Sequence, residues 1–316
     1  MGADAANLKA GDRVILSHPE SNCLNQEITP PCRQCRDGNP TLCENASSGR
    51  ELEGLGGGWS DGFTAHKTMV YKVPDELADD TAVLIEPLAV GVHTALRCLP
   101  GPDGRALVVG SGMIGLAVIA ALRAFSPECH ISAMARYPRQ VEMAGRLGAN
   151  EVIAREDPYL ATERITSGKL YTGMFKNRML LGGFDVVFDC VGSEKTLQDS
   201  LRWTRAGGTV VLAGVSLKPM HIDLTPVWYQ QVNLIGLYAH GMEEWNGVRR
   251  STFDLTADLL LTKKLPVAGL ITHRFPLEQW RTAVHTAKDK SSGAIKVVLD
   301  LRAAGESGGK PNVDHS

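Results

Sequence analysis

Four cysteines are crowded into a short stretch near the start of the chain: Cys23, Cys32, Cys35 and Cys43. Two residues separate Cys32 from Cys35, and seven separate Cys35 from Cys43. This spacing places three thiolates on tight turns, where a tetrahedral zinc ion can bind once a fourth ligand completes the site. Cys23 is the candidate for that ligand. The alternative is a set of free thiols without a metal.

A glycine-rich turn is the second pattern that could support chemistry. The β-branched run 106–109 leads into GSGMIG at residues 110–115 and then into an apolar helix that reaches Phe125. In a dinucleotide-binding turn the first glycine makes the tight turn, the second admits a pyrophosphate, and the third lets helix and strand pack closely. The N–H groups of the helix N-terminus then face the phosphates. We expect a dinucleotide to contact Gly110, Gly112, Met113, Ile114 and Gly115.

The residues after the next predicted strand favour one form of this cofactor. An acidic residue about twenty positions after the last glycine would bind the ribose 2′-hydroxyl of NAD. The chain instead has Ala135 there, followed by Arg136 and Arg139. Because two guanidinium groups can hold a 2′-phosphate, we predict NADP in preference to NAD. The alternative is that both arginines are solvated residues at the start of the next helix.

One carboxylate lies in an apolar segment. Glu86 is flanked by Ile85 and Pro87 within VLIEPLAV, and burying a carboxylate is costly unless it is paired, hydrogen-bonded or bound to a metal. Glu86 is therefore a candidate metal ligand and catalytic residue. The apolar pattern of residues 75–94 predicts a helix that is interrupted at Pro87. His93 lies on the same segment. We interpret His93 as a core histidine rather than a ligand.

Composition limits the classes of function. The chain has 316 residues, enough for two domains. A net charge of −2 with 22% charged residues gives no indication of a nucleic acid or a membrane surface as partner. The sequence has no apolar run of membrane-spanning length and no signal-peptide pattern at its start, so we expect a cytoplasmic protein.

The elements that must position these residues follow from strand and helix alternation. Strands are predicted at 106–109, 130–135, 151–154, 185–190, 208–214 and 232–238. This alternation is typical of a doubly wound parallel sheet. Between the third and fourth strands we predict a helix and an exposed loop. From about residue 267 we predict a strand, a helix and a strand at 294–299.

Four motifs together resemble one enzyme family. They are CRQCRDGNPTLC, GGGWSDGFTAHKTMVYKVPD, the EPLA of residues 86–89 and GSGMIG. In order and spacing they resemble the zinc-dependent medium-chain dehydrogenases, which include alcohol, sorbitol and threonine dehydrogenases. The resemblance runs from about Leu8 to Leu301. It implies a GroES-like β-barrel catalytic domain split around a Rossmann domain, with a structural zinc on a cysteine lobe and a catalytic zinc between the domains.

The expected fold class is therefore α/β, a Rossmann doubly wound sheet with an N-terminally incomplete GroES-like barrel. Residues 1–90 form the partial catalytic domain with its lobe at 23–43, 91–265 the cofactor domain, 266–301 the return to the catalytic domain, and 302–316 a disordered tail. By resemblance, the nicotinamide half of the cofactor contacts residues that follow the later strands: Cys190, Val191, Gly192, Gly214, Val215, Leu237 and Tyr238.

Two departures from the family pattern concern the metals. The family has a cysteine where this chain has Thr29. This leaves three alternatives: Cys23 is the fourth zinc ligand, three cysteines and another ligand hold the zinc, or the lobe binds no zinc. The family's cysteine and Gly-His-Glu ligands of the catalytic zinc fall upstream of Met1, which suggests a fragment or a wrongly chosen start. Glu86 alone does not hold zinc tightly, so we expect a structural zinc and no firmly bound catalytic zinc.

The expected activity is hydride transfer between NADP, or NAD, and an alcohol or polyol or its carbonyl product. By resemblance this transfer is zinc-assisted in the full-length parent, and we expect it to be impaired in this chain. We expect a homo-oligomer, either dimer or tetramer. One alternative is a zinc-free NADPH-dependent quinone or enone reductase, although the cysteine lobe and the Glu-Pro segment argue against it. Another is a non-catalytic cofactor-binding remnant.

Overall fold

The structure is a computed structural model that describes residues 8–17, 21–46, 59, 62–174 and 177–301. The predicted tail 302–316 and most of the glycine-rich segment before Trp59 lie outside the described residues. The strands are β1 (Val14–Leu16), β2 (Val70–Lys72), β3 (Arg105–Val109), β4 (His130–Met134), β5 (Glu151–Ile153), β6 (Lys169–Thr172), β7 (Arg178–Leu181), β8 (Phe184–Asp189), β9 (Thr204–Leu212), β10 (Asn233–Gly236), β11 (Met242–Trp245), β12 (Val248–Ser251), β13 (Ile271–Phe275) and β14 (Lys296–Leu299). The α-helices are α1 (Arg33–Arg36), α2 (Asp79–Ala82), α3 (Ile85–Arg97), α4 (Met113–Phe125), α5 (Pro138–Arg146), α6 (Pro158–Thr166), α7 (Glu194–Trp203), α8 (Thr225–Tyr229), α9 (Thr252–Leu261) and α10 (Trp280–Lys288).

A six-stranded parallel sheet forms the centre of the molecule, in the order β5-β4-β3-β8-β9-β10. If these six strands are numbered 1 to 6 in chain order, the order across the sheet is 3-2-1-4-5-6, as in a Rossmann fold. The winding reverses between β3 and β8, which opens a crevice at the carboxyl ends of these two strands. All six predicted strands are present, with their ends shifted by up to four residues.

Apolar clusters cover both faces of this sheet. One cluster joins Ile131 and Phe188 of the sheet to α3, α4, α5 and α9, and the other joins Leu107 and Phe184 to α6 and α7. Most of the buried residues of these strands are apolar because helices cover the sheet on both sides. None of the described helices combines the length and the hydropathy needed to cross a bilayer.

Helix α3 carries the predicted catalytic carboxylate and packs directly on α4. A Cβ atom at Gly91 would lie 2.4 Å from the Cβ of Ala117, so only glycine permits this approach. The prediction that Pro87 interrupts the helix is wrong. The helix begins at Ile85, which places Pro87 in the first turn, where N–H groups have no partner within the helix.

The strands outside the central sheet pair two by two. β1 and β2 are antiparallel, and β13 and β14 are parallel with α10 as the crossover between them. Among the residues that the structure describes, these pairs are separate two-stranded sheets, and the strand predicted at 294–299 is present as β14. A parallel pair needs a crossover of this kind, and here it places β14 beside β13.

The long connection before β8 is more ordered than the predicted helix plus loop. It contains α6 and then an antiparallel hairpin, in which Lys169 faces Leu181 and Thr172 faces Arg178. Arg178 anchors this hairpin with two hydrogen bonds to Asp157, at 2.7 and 2.8 Å, while Asp157 caps α6. The sequence interpretation missed the hairpin because each of its strands is only four residues long.

The Asp157–Arg178 pair predicts a specific acid sensitivity. Hydrogen bonds from Arg178 lower the pKa of Asp157 from 3.8 to about 2. A lowered folded-state pKa contributes stability that is present above the unfolded-state value and is lost as the pH falls through the folded-state value. As the pH falls from about 4 to about 2, we therefore expect the unfolding free energy to decrease less in Asp157→Asn and Arg178→Gln than in the wild-type protein. Urea unfolding at several pH values measures this, and a wild-type slope in both variants would contradict it.

A second hairpin joins β11 to β12 through Asn246 and Gly247, both with positive φ angles of 54° and 72°. Such a pair forms the type of two-residue turn that matches strand twist. The Asn-Gly dipeptide is the signal in the sequence that could have predicted this hairpin.

Candidate cofactor and metal sites

Close backbone packing shapes the candidate cofactor site at the carboxyl end of β3. Gly110 has a φ of 91°, and a Cβ at Gly115 would lie 1.8 Å from Gly110 O. Strand, turn and helix can therefore meet only with glycine at both positions.

The turn after β8 touches both the fingerprint turn and the turn after β9. A Cβ at Gly110 would lie 2.4 Å from Val191 Cγ2, and a Cβ at Gly192 would lie 2.4 Å from the carbonyl of Gly214. Asp189 Oδ1 holds this turn by accepting hydrogen bonds from the N–H groups of Val191 and Gly192, at 2.9 and 3.0 Å. Burial raises the pKa of Asp189.

The mouth of this crevice is open above the N-terminus of α4. Gly112 precedes the helix, makes no side-chain cap, and a Cβ there would meet no protein atom within 4 Å. The first N–H groups of α4, including those of Met113 and Ile114, have no partners within the helix. This arrangement fits a phosphate group, because the backbone donors and the helix dipole both favour an anion.

The other predicted cofactor residues follow the strands at the same edge. Cys190 N donates to Val109 O at 3.0 Å, and Leu237 N donates to Leu212 O at 3.1 Å, so both extend the sheet by one residue. Burial raises the pKa of the Cys190 thiol. Val215 and Tyr238 are largely exposed beside them. The structure thus brings all predicted nicotinamide-lining residues to the carboxyl edge of the sheet.

The two arginines proposed for a 2′-phosphate differ in their contacts. Arg136 is exposed, with its guanidinium 5.8 Å from the centre of the Tyr137 ring. Arg139 instead pairs with Glu142 at 2.8 Å and donates to Gly269 O at 3.3 Å. Arg136 is therefore the better placed of the two to meet a ligand.

The four lobe cysteines converge on one point. All four sulfur atoms lie within 4.8 Å of one another. The Cys23–Cys43 and Cys32–Cys43 sulfur distances are 3.6 and 3.9 Å. A tetrahedral zinc with Zn–S bonds of about 2.3 Å separates its sulfur ligands by about 3.8 Å. The donor set therefore fits zinc, and Cys23 occupies the fourth corner although its position in the sequence departs from the family spacing.

Hydrogen bonds to sulfur favour the thiolate form that zinc needs. N–H of Cys32 and the Asn45 amide lower the pKa of Cys23 to about 6. N–H of Cys35 lowers the pKa of Cys32, while burial raises the pKa of Cys35 and Cys43. A bound cation would offset that burial.

Glu86 is half-buried in the first turn of α3. Within the described part of the chain, the lobe cysteines are the one group of three or more metal-ligating side chains close enough to share an ion. Glu86 thus stands outside any such group.

His93 lies two turns further along the same face of α3, and its Nδ1 atom is 2.7 Å from Glu243 Oε1. Both side chains are nearly buried, at 13% and 11% exposure. Together with Arg97, Asn39 and Tyr238, His93 lines a cavity of ≈ 330 Å³ between the cysteine lobe and the end of β10. Glu243 is a residue that the sequence interpretation missed, since its partner is distant in the chain.

The chain resembles known dehydrogenases along nearly its whole length. Residues 1–75 match the alcohol dehydrogenase GroES-like domain and residues 113–253 match the zinc-binding dehydrogenase family. L-idonate 5-dehydrogenase of Vitis vinifera is 32% identical over 95% of this chain and 76% of that protein. The chain belongs to the zinc-binding alcohol dehydrogenases. This confirms the predicted family, its class as an oxidoreductase and the α/β fold class.

A second curated relative supports this membership, and a solved structure shares the fold. Sorbitol dehydrogenase of Arabidopsis thaliana is 30% identical, covering 95% of this chain and 76% of that protein. Alcohol dehydrogenase TADH from Thermus sp. ATN1 has a similar fold, with a TM-score of 0.74 at 22% identity over 94% of this chain and 79% of that one.

Proposed function

We propose that this zinc-binding alcohol dehydrogenase uses NADP in preference to NAD and transfers a hydride between it and an alcohol or polyol, or the carbonyl product. The glycine-lined crevice at the carboxyl ends of β3, β8 and β9 carries this proposal. Its walls admit no side chain at Gly115 or Gly192, while its mouth at Gly112 is open to a pyrophosphate.

The protein groups around this crevice have separable roles. The N–H groups at the start of α4 bind the pyrophosphate, and the turns at 190–192 and 214–215 with Leu237 and Tyr238 orient the nicotinamide. Arg136 is free to meet a 2′-phosphate, whereas Arg139 remains with Glu142 and Gly269. The absence of a carboxylate at Ala135 removes a partner for the 2′-hydroxyl of NAD.

The cysteine lobe is proposed to hold a structural zinc through Cys23, Cys32, Cys35 and Cys43. Glu86 is proposed as the residue of α3 that faces the reacting oxygen or its metal. A zinc ion bound in the cleft would polarise the alcohol oxygen so that a hydride can leave. Among the described residues, Glu86 belongs to no group of three or more metal-ligating side chains, so we propose that turnover by these residues is slow. The names of the two curated relatives, sorbitol and L-idonate 5-dehydrogenase, favour a polyhydroxylated substrate.

Hydride transfer can be tested directly with NADPH deuterated at the transferred position. Incubation with a panel of ketoses and simple ketones is expected to give slow formation of deuterated alcohol, detected by mass spectrometry. Reduction of quinones or enones without reduction of ketones would contradict the proposed reaction. Substantial, chelator-sensitive alcohol oxidation would contradict slow turnover and show that Glu86 has further metal ligands.

A further inference from the structure

The cysteine lobe contacts the chain segment that follows β10. Thr41 Oγ1 donates to His240 O at 3.3 Å, and Met242 N donates to Asn39 Oδ1 at 3.3 Å. Arg249 on β12 also donates to Asp37 O in the lobe. These contacts tie residues 240–242, and the hairpin that follows, to the lobe.

The same segment begins with the two residues proposed to line the nicotinamide. Leu237 is held to the sheet by its hydrogen bond to Leu212, whereas Tyr238 already projects beyond β10. Ala239, between the sheet and the lobe contacts, has a φ of 54°. A residue with a Cβ is strained in this left-handed conformation and keeps it only where surrounding contacts enforce it.

The lobe loop that makes these contacts is closed at both ends by cysteines. Asn39 and Thr41 lie between Cys35 and Cys43, whose side chains are buried in the sulfur cluster. An ion shared by these cysteines would fix both ends of the loop. The position of Asn39 and Thr41 then depends on the state of the cluster.

Other contacts limit how far the segment can move. His240 is buried with Nε2 2.7 Å from Ser17 O, and Glu243 contacts His93 at 2.7 Å. Loss of one lobe contact should therefore shift the bend at Ala239 without unfolding the segment.

Building on the proposed function, we propose that Asn39 and Thr41 are positioning residues for the nicotinamide half of the cofactor. They hold the bent segment 238–242, and through it they set where Leu237 and Tyr238 meet the ring. The adenine half is bound by the N-terminus of α4 and the residues after β4, whereas the hydrogen bonds of Thr41 and Asn39 reach residues 240 and 242.

Two ligands separate this role from a general effect on folding. NADPH carries the nicotinamide ring, and 2′-phospho-ADP-ribose lacks it. We expect Asn39→Leu and Thr41→Val to weaken NADPH binding by about threefold to tenfold, the range for loss of one or two hydrogen bonds. Binding of 2′-phospho-ADP-ribose should stay at its wild-type affinity. Calorimetric titration of both ligands gives the two constants.

Conservative and control variants sharpen the test. Asn39→Asp keeps the acceptor oxygen and Thr41→Ser keeps the donor hydroxyl, so both should restore NADPH affinity. Arg36→Ala, on an exposed position of the lobe, should have no effect. Removal of lobe metal by a chelator should reproduce the Asn39→Leu result.

Unchanged NADPH affinity in Asn39→Leu and Thr41→Val would overturn the positioning role. Equal weakening of both ligands would also overturn it, because the lobe would then act on the whole cofactor domain. If wild-type protein binds neither ligand, the proposed function itself fails, and with it the role of the two residues.

Discussion

Gly112→Ala is expected to leave the fold intact and to weaken dinucleotide binding by at least about tenfold, which corresponds to about 1.4 kcal/mol. A Cβ at this position meets no protein atom within 4 Å, and its φ of −78° is ordinary for alanine. The added methyl group instead enters the space above the N-terminus of α4 that we assign to the pyrophosphate. Loss of binding without loss of stability would thus show that the open side of the crevice is a ligand site.

Two other glycine-to-alanine variants serve as controls for the effect of Gly112→Ala on binding. Gly145→Ala places a methyl group on the exposed face of α5, where nothing lies within 4 Å, and should leave binding unchanged. Gly115→Ala brings a Cβ to 1.8 Å from Gly110 O, so it should lower both the melting temperature and binding. Wild-type affinity in Gly112→Ala would place the dinucleotide elsewhere.

Cys23→Ser is expected to abolish zinc retention by the lobe. The Cys23 sulfur lies 3.6 Å from that of Cys43, about the edge of a tetrahedral zinc site, and serine is a poor replacement for a thiolate. Because zinc binding contributes to the folding free energy, the melting temperature of the variant should also fall. Metal analysis after dialysis against a chelator should give about one zinc per wild-type chain and almost none in the variant.

Cys98→Ser is the matched control, since Cys98 lies at the end of α3, outside the sulfur cluster. It should keep its zinc. Full zinc retention by Cys23→Ser would show that three cysteines and another ligand suffice, and a zinc-free wild-type protein would show that the lobe is empty.

Local patterns predicted much of the cofactor domain. The strand before Gly110 and the helix that ends at Phe125 follow from a β-branched run, three spaced glycines and an apolar helix, all within one short segment. The family resemblance then placed the later turns at the correct edge of the sheet. Side-chain partners distant in sequence were harder to predict.

Three residues illustrate that limit. Arg139 was grouped with Arg136, but its partners are Glu142 and a carbonyl at Gly269, more than a hundred residues away. His240 is buried against Phe253, and its Nε2 atom lies 2.7 Å from Ser17 O, more than two hundred residues earlier in the chain. Cys23 was the candidate for the fourth ligand, but its approach to the other three sulfur atoms could not be predicted, because it depends on the path of the intervening loop.

Titration of the wild-type protein with NADPH and NADH, followed by nicotinamide fluorescence, tests both the candidate cofactor site and its preference for NADP. We expect one saturable site per chain that binds NADPH more tightly than NADH. Arg136→Ala should weaken NADPH binding by about tenfold, the loss expected for one charge-assisted contact, and should leave NADH binding unchanged. Saturable binding of neither dinucleotide would contradict the site, and equal or tighter binding of NADH would contradict the proposed preference.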